Sequence, residues 1–190
     1  CVDGVHGLGA EDETVGTLTK RFDALGIPST EQSRRTYREM LFTAPGAAEF
    51  ISGVIMYDET IRQKSSRGKP LAEVQTAQGM IPGIKVDTGA KPLAGSVGEM
   101  ITEGLDGLRD RLSQYRSMGA RFAKWRAVIR LTKALPSSAC VSANAHAPAR
   151  YAVLCQEQKL GPIVEPEVLM AGPHTIDRCE EVTRDVLYAA

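Results

Sequence analysis

Apolar and polar positions along the chain repeat one unit: a short apolar run ending in charged residues, a loop, then a stretch of helical periodicity. The first run covers 7–12, and a helix is expected over 17–25. Thr30 opens a second helix as its cap. Ser33 stands where a capping box carries Glu or Gln, and Glu31 suits the first-turn dipole. This helix runs to Phe42 and stops at Ala44, Pro45 and Gly46. The second run, 53–59, ends in Asp58 and Glu59, and a polar loop over 63–70 follows. The third, 80–87, contains Lys85 and Asp87, and a long glycine-punctuated connection leads from it to a helix over 104–118. The fourth run is 120–128, and the helix expected after it over 137–158 should be kinked or split by Pro148. The fifth run, 162–168, carries Glu165 and Glu167, and a last helix begins near Thr175.

The fourth run is the most informative. On a strand, residues two apart share a face, so Lys124 and Arg126 point the same way while Trp125 faces opposite, toward a packed helix. Two cations on a mostly apolar strand are costly without anionic partners. Glu165 and Glu167 offer two carboxylates at the same spacing. Solvated strand ends making loop salt bridges explain any one such residue. Matched pairs on two strands point to a site.

Strand–helix alternation with charges at strand ends is the signature of α/β architecture with parallel strands. A doubly wound sheet would carry GxGxxG after its first strand, which this chain lacks. A (β/α)8 barrel places its site at strand ends but needs eight strands and about 250 residues, where 190 residues hold five. Lys and Arg total 23 against 23 Asp and Glu, which disfavours a nucleic-acid or membrane-surface binder. No apolar run approaches the roughly 18–20 residues of a membrane span, and the start shows no signal-peptide pattern. Cys1, Cys140, Cys155 and Cys179 are widely spaced and read as reduced thiols. His6, His146 and His174 are isolated, so no metal site is expected. Thr14, Gly16 and Thr17, with Lys20 and Arg21 following, sit at a loop-to-helix junction that suits a phosphate, although threonine is also a common cap.

In this order and at these intervals, the segments GLGAEDETVGTLTKR, GIKVDTG, PLAG, EGLDGL, GARFAKWRAV, ARYA and PIVEPEVL resemble class I fructose-bisphosphate aldolase, over Gly7 to Ala190. GARFAKWR and IVEPE together are specific to that family. The resemblance implies an incomplete (β/α)8 TIM barrel, with residues 1–190 a single domain forming its N-terminal part. It implies reversible cleavage of fructose 1,6-bisphosphate to dihydroxyacetone phosphate and glyceraldehyde 3-phosphate, in glycolysis and gluconeogenesis, through a lysine Schiff base with no metal or cofactor. A homotetramer is implied, in the cytoplasm, or in a plastid if a transit peptide precedes this chain. By the same resemblance Asp12 takes part in proton transfer near the cleaved bond, and Glu165 is the general acid/base of the carbinolamine steps. Lys124 is a second active-site lysine and Glu167 the carboxylate that orients it. Lys85, Thr14 and Thr17 fall near the distal phosphate, Arg21 contacts phosphate, Arg126 is an active-site arginine, and Arg34 binds substrate.

The chemistry agrees with that assignment. Imine formation needs an unprotonated amine and then loss of water. A neighbouring cation such as Lys124 lowers the amine's pKa, and a carboxylic acid supplies the proton. The Schiff-base lysine itself is expected on a sixth strand beyond Ala190, so this stretch alone is expected to be inactive. Departures from the family pattern are Glu11, where an apolar residue is usual, Thr14 and Thr17 in place of serines, Thr88 in place of a lysine, and Pro148. Glu11 should point outward into the helix layer, where an arginine could pair with it. The alternatives are a non-catalytic phosphosugar-binding or interaction protein, and an imine-forming aldolase of another sugar phosphate.

Overall fold

The computed structural model describes residues 6–190, so the expectation for Cys1 falls outside it. In chain order the elements are β1 (Gly7–Glu11), α1 (Val15–Ala24), α2 (Glu31–Phe42), β2 (Ile51–Met56), α3 (Asp58–Arg62), α4 (Leu71–Ala77) and β3 (Ile81–Lys85). They continue with β4 (Gly89–Pro92), β5 (Met100–Glu103), α5 (Leu108–Ser117), β6 (Phe122–Ile129), α6 (Ser138–Glu157), β7 (Gly161–Val168) and α7 (Ile176–Ala189). Two compact units divide the chain, one up to Lys85 with Ser113–Ala123, the other Val86–Leu112 with Lys124–Ala190.

In the first unit β1, β2 and β3 lie side by side in that order, all parallel, with Glu11 opposite Met56 and Met56 opposite Ile84. Val54, Ile55 and Met56 are consecutive buried residues, as expected of a strand covered on both faces. The start of β6 closes against β3, where the Arg121 amide donates to the Pro82 carbonyl at 2.8 Å. The Phe122 ring occupies the space over two glycines. A Cβ on Gly83 would overlap the ring, and one on Gly53 would stand 2.9 Å from the Ile81 carbonyl oxygen. Thr30 caps α2 as expected, with Ser33 completing the reciprocal capping box. The first unit also holds two short helices that the hydropathy pattern misses, α3 and α4. α4 follows directly on Pro70 and buries Leu71 and Ala72.

In the second unit β6 continues beside β7. The glycine-punctuated connection is an antiparallel hairpin, β4 with β5, with Gly89 opposite Glu103 and Pro92 opposite Met100. The helix after it begins at Leu108 because Gly104 and Gly107 hold positive φ, 133° and 62°, which no helix accommodates. α6 runs through Pro148 as one helix, so of the expected kink or split the split does not occur. The ring forgoes one backbone donor but is itself buried in the helix's packed face. Ile129, Leu131, Cys140, Val168, Val182 and Val186 form one core cluster of this unit.

Candidate active site

In the first unit, β1 delivers Asp12 at its C-terminal end, 8% exposed. Thr14 caps α1. Its hydroxyl accepts from the Thr17 amide at 3.3 Å and lies 3.1 Å from the Thr17 hydroxyl, both residues being exposed. The two hydroxyls thus sit together at a helix N-terminus, a geometry that suits an anion such as phosphate. Arg21, on the same helix, is exposed and ion-paired with Glu13. Lys85 ends β3, half-buried. Arg34 is engaged elsewhere. Its guanidinium meets the Glu59 carboxylate through Nε and Nη2 at 2.9 Å, and Nη1 donates to the Ser29 carbonyl at 3.2 Å. Asp58 and Glu59, expected at the end of the second strand, instead open α3, where the first-turn dipole favours them. Asp58 accepts from the Tyr115 hydroxyl at 2.8 Å and pairs with Arg62.

Glu11 does find its arginine. Arg38 is 1% exposed and donates to Glu11 Oε2 at 2.9 Å and Glu13 Oε2 at 2.6 Å. Burial, with the Glu13 charge adding to it, pushes the Glu11 carboxyl up. Burial raises Glu13 too, but the hydrogen bond and charge of Arg38 outweigh it and leave that carboxyl below the usual range.

In the second unit the matched pairs form as the spacing predicts. Lys124 Nζ stands 3.1 Å from Glu165 Oε2, with the lysine buried and the carboxylate side chain 40% exposed. Arg126 pairs through Nε with Glu167 Oε2. That hydrogen bond holds the Arg126 guanidinium above its ordinary pKa. Glu167, expected as the orienting carboxylate for Lys124, thus has Arg126 as a partner. Asp87, one of the strand-end charges of the third run, joins this group. It is 7% exposed, accepts the Arg126 amide at 3.2 Å through Oδ2 and takes the Gly89 amide at 3.1 Å through Oδ1. Its signal in the sequence is a position at a strand end, which does not distinguish it from solvated neighbours.

The opposite face of β6 is packed against a helix. Trp125 is fully buried and packs on Tyr151 of α6, ring centroids 5.5 Å apart. The Tyr151 hydroxyl accepts the Ile163 amide at 3.2 Å and lies 3.3 Å from the Ile163 carbonyl on β7. Burial pushes the Tyr151 phenol up, so it stays neutral in this role. Among the described residues no three His, Cys, Asp or Glu side chains gather as a metal ion would need. Cys140, Cys155 and Cys179 are free thiols, and burial pushes Cys155 up to about 12. No helix among the described residues is long and apolar enough to cross a membrane.

Parallel strands alternating with helices, and a buried lysine ion-paired at a strand, put the chain in the class of α/β proteins whose chemistry lies at strand ends. The family model for class-I fructose-bisphosphate aldolase matches residues 2–190, and the chain belongs to that family. It is 59% identical over 181 residues to the probable fructose-bisphosphate aldolase class 1 of Xanthomonas axonopodis pv. citri, covering 95% of this chain and 54% of that one. It is 51% identical to the cytoplasmic aldolase isozyme of Spinacia oleracea, covering 95% and 50%. A crystal structure of fructose-bisphosphate aldolase from Plasmodium falciparum, in complex with TRAP and a small-molecule inhibitor, superposes with a TM-score of 0.96. It is 42% identical, over 99% of this chain and 55% of that chain. This chain therefore spans about half the length of the curated relatives it matches, and its α/β fold is consistent with an incomplete barrel.

Proposed function

We propose that residues 1–190 are the N-terminal part of one barrel domain of a class I aldolase that reversibly cleaves fructose 1,6-bisphosphate to dihydroxyacetone phosphate and glyceraldehyde 3-phosphate. The observation that carries the reading is the Lys124–Glu165 pair, a buried ammonium 3.1 Å from a partly exposed carboxylate on the neighbouring strand, in a chain of this family. A lysine outside this stretch forms the Schiff base. Lys124 lowers that amine's pKa by like-charge proximity, and Glu165 moves the proton when the carbinolamine loses water. Glu167 and Asp87 hold Arg126 in place, Asp12 takes part in proton transfer at the cleaved bond, and Thr14, Thr17, Arg21 and Lys85 receive the distal phosphate. Arg34 braces α2 against Glu59, so its part in substrate binding acts through that brace. The enzyme works in the cytoplasm as a homotetramer and needs no metal. Full-length protein assayed for fructose 1,6-bisphosphate cleavage should be active and insensitive to a chelator. Loss of activity on chelation, restored by a divalent ion, would contradict the imine route.

A further inference from the structure

Arg38 is the most deeply buried charge in the first unit's helix layer, at 1% exposure, and its hydrogen bonds run to one short segment. Nη1 takes Glu11 Oε2 at 2.9 Å and Glu13 Oε2 at 2.6 Å, and Nη2 donates to the Glu13 backbone carbonyl at 3.1 Å. The residue between those two glutamates is Asp12, and the residue after them is Thr14, the cap of α1. We infer that Arg38 is a positioning residue. It grips the β1–α1 junction on both sides of Asp12 and so sets where that carboxylate and the Thr14 hydroxyl stand. Its planar fork serves two carboxylates and a carbonyl in one fixed geometry, which a lysine, with three rotatable donors on a point charge and no fixed donor plane, does not reproduce. Arg21 completes the arrangement by pairing with the Glu13 carboxylate from α1. In this chain Glu11 supplies a carboxylate where the family pattern has an apolar residue, so Arg38 holds the strand end as well as the loop after it.

The inference rests on the aldolase reading of Asp12, and the experiment separates the two. Full-length wild-type protein, Arg38→Lys and Glu13→Gln are compared for fructose 1,6-bisphosphate cleavage and for melting. Arg35→Lys, on the same helix but paired with Glu39, is the control. Arg38→Lys should melt cooperatively near wild type with kcat down roughly tenfold to a hundredfold and a smaller change in KM, because a misplaced group costs the chemical step. Glu13→Gln should show the same split, and it decides the matter should Arg38→Lys fail to fold. Arg35→Lys should stay within about twofold, as the loss of one peripheral pair allows. An active wild type with kcat unchanged in the folded variants overturns the positioning role and leaves the aldolase reading standing. A wild type with no cleavage activity overturns both.

Discussion

Lys124 illustrates how a charge becomes usable. It sits on a strand whose other face is locked by Trp125 and Tyr151, and a carboxylate 3.1 Å away stabilises its ammonium form. An ammonium fixed in this way is a steady positive neighbour for a second amine. Replacing it with methionine keeps the bulk and removes the charge. On the proposed mechanism Lys124→Met lowers kcat by about a hundredfold or more, and the acidic limb of the kcat profile moves to higher pH as the nucleophilic amine becomes more basic. Steady-state cleavage from acid to alkaline pH checks this, and an unshifted limb would remove Lys124 from the chemistry. The Lys124 and Glu165 pairing was legible from spacing alone, because strand geometry turns i, i+2 into a shared face. Arg38 was not. Its partners lie 25 and 27 positions away in sequence, and a helical arginine among polar neighbours looks like a surface charge.

Among the elements, the strands carried the clearest signal and the connections the weakest. A continuous apolar run marked β2, and a mostly apolar run with two cations at i, i+2 spacing marked β6, whereas the hairpin of β4 and β5 is short and rich in glycine, proline and polar residues, which also describes a loop. α4 has seven residues, less than the span over which helical periodicity can be read. The β3 glycine is a test of packing. Gly83→Ala drives a methyl group into the Phe122 ring, and denaturant unfolding should show a loss of about 1–3 kcal/mol. A loss below a few tenths would mean that the ring has room to move. Glu99 tests the capping of α6. Its carboxylate accepts the Ser137 amide and hydroxyl, both at 2.7 Å. Burial alone would raise it, but these hydrogen bonds leave it below the ordinary carboxylate range. A group whose folded pKa is depressed adds stability above its unfolded value of about 4.3 and loses it as pH falls through the folded value. Glu99→Gln should therefore be less stable than wild type at neutral pH, with the difference shrinking as the medium is acidified. A pH-independent difference would contradict the assignment.

On the scale of the whole molecule, each compact unit carries its own set of candidate residues: Asp12, Thr14, Thr17 and Lys85 in the first, and Lys124, Arg126, Glu165 and Glu167 in the second. The relatives are about twice as long as this chain, and the proposed mechanism puts its nucleophile outside residues 1–190. Lys124 has the burial and the ion pair of a site residue, and in the proposed mechanism it is the helper. The direct measurement is borohydride reduction of full-length protein incubated with dihydroxyacetone phosphate, followed by peptide mapping. The account predicts a stable adduct on a lysine other than Lys124. The absence of any adduct, or an adduct on Lys124 itself, would contradict it.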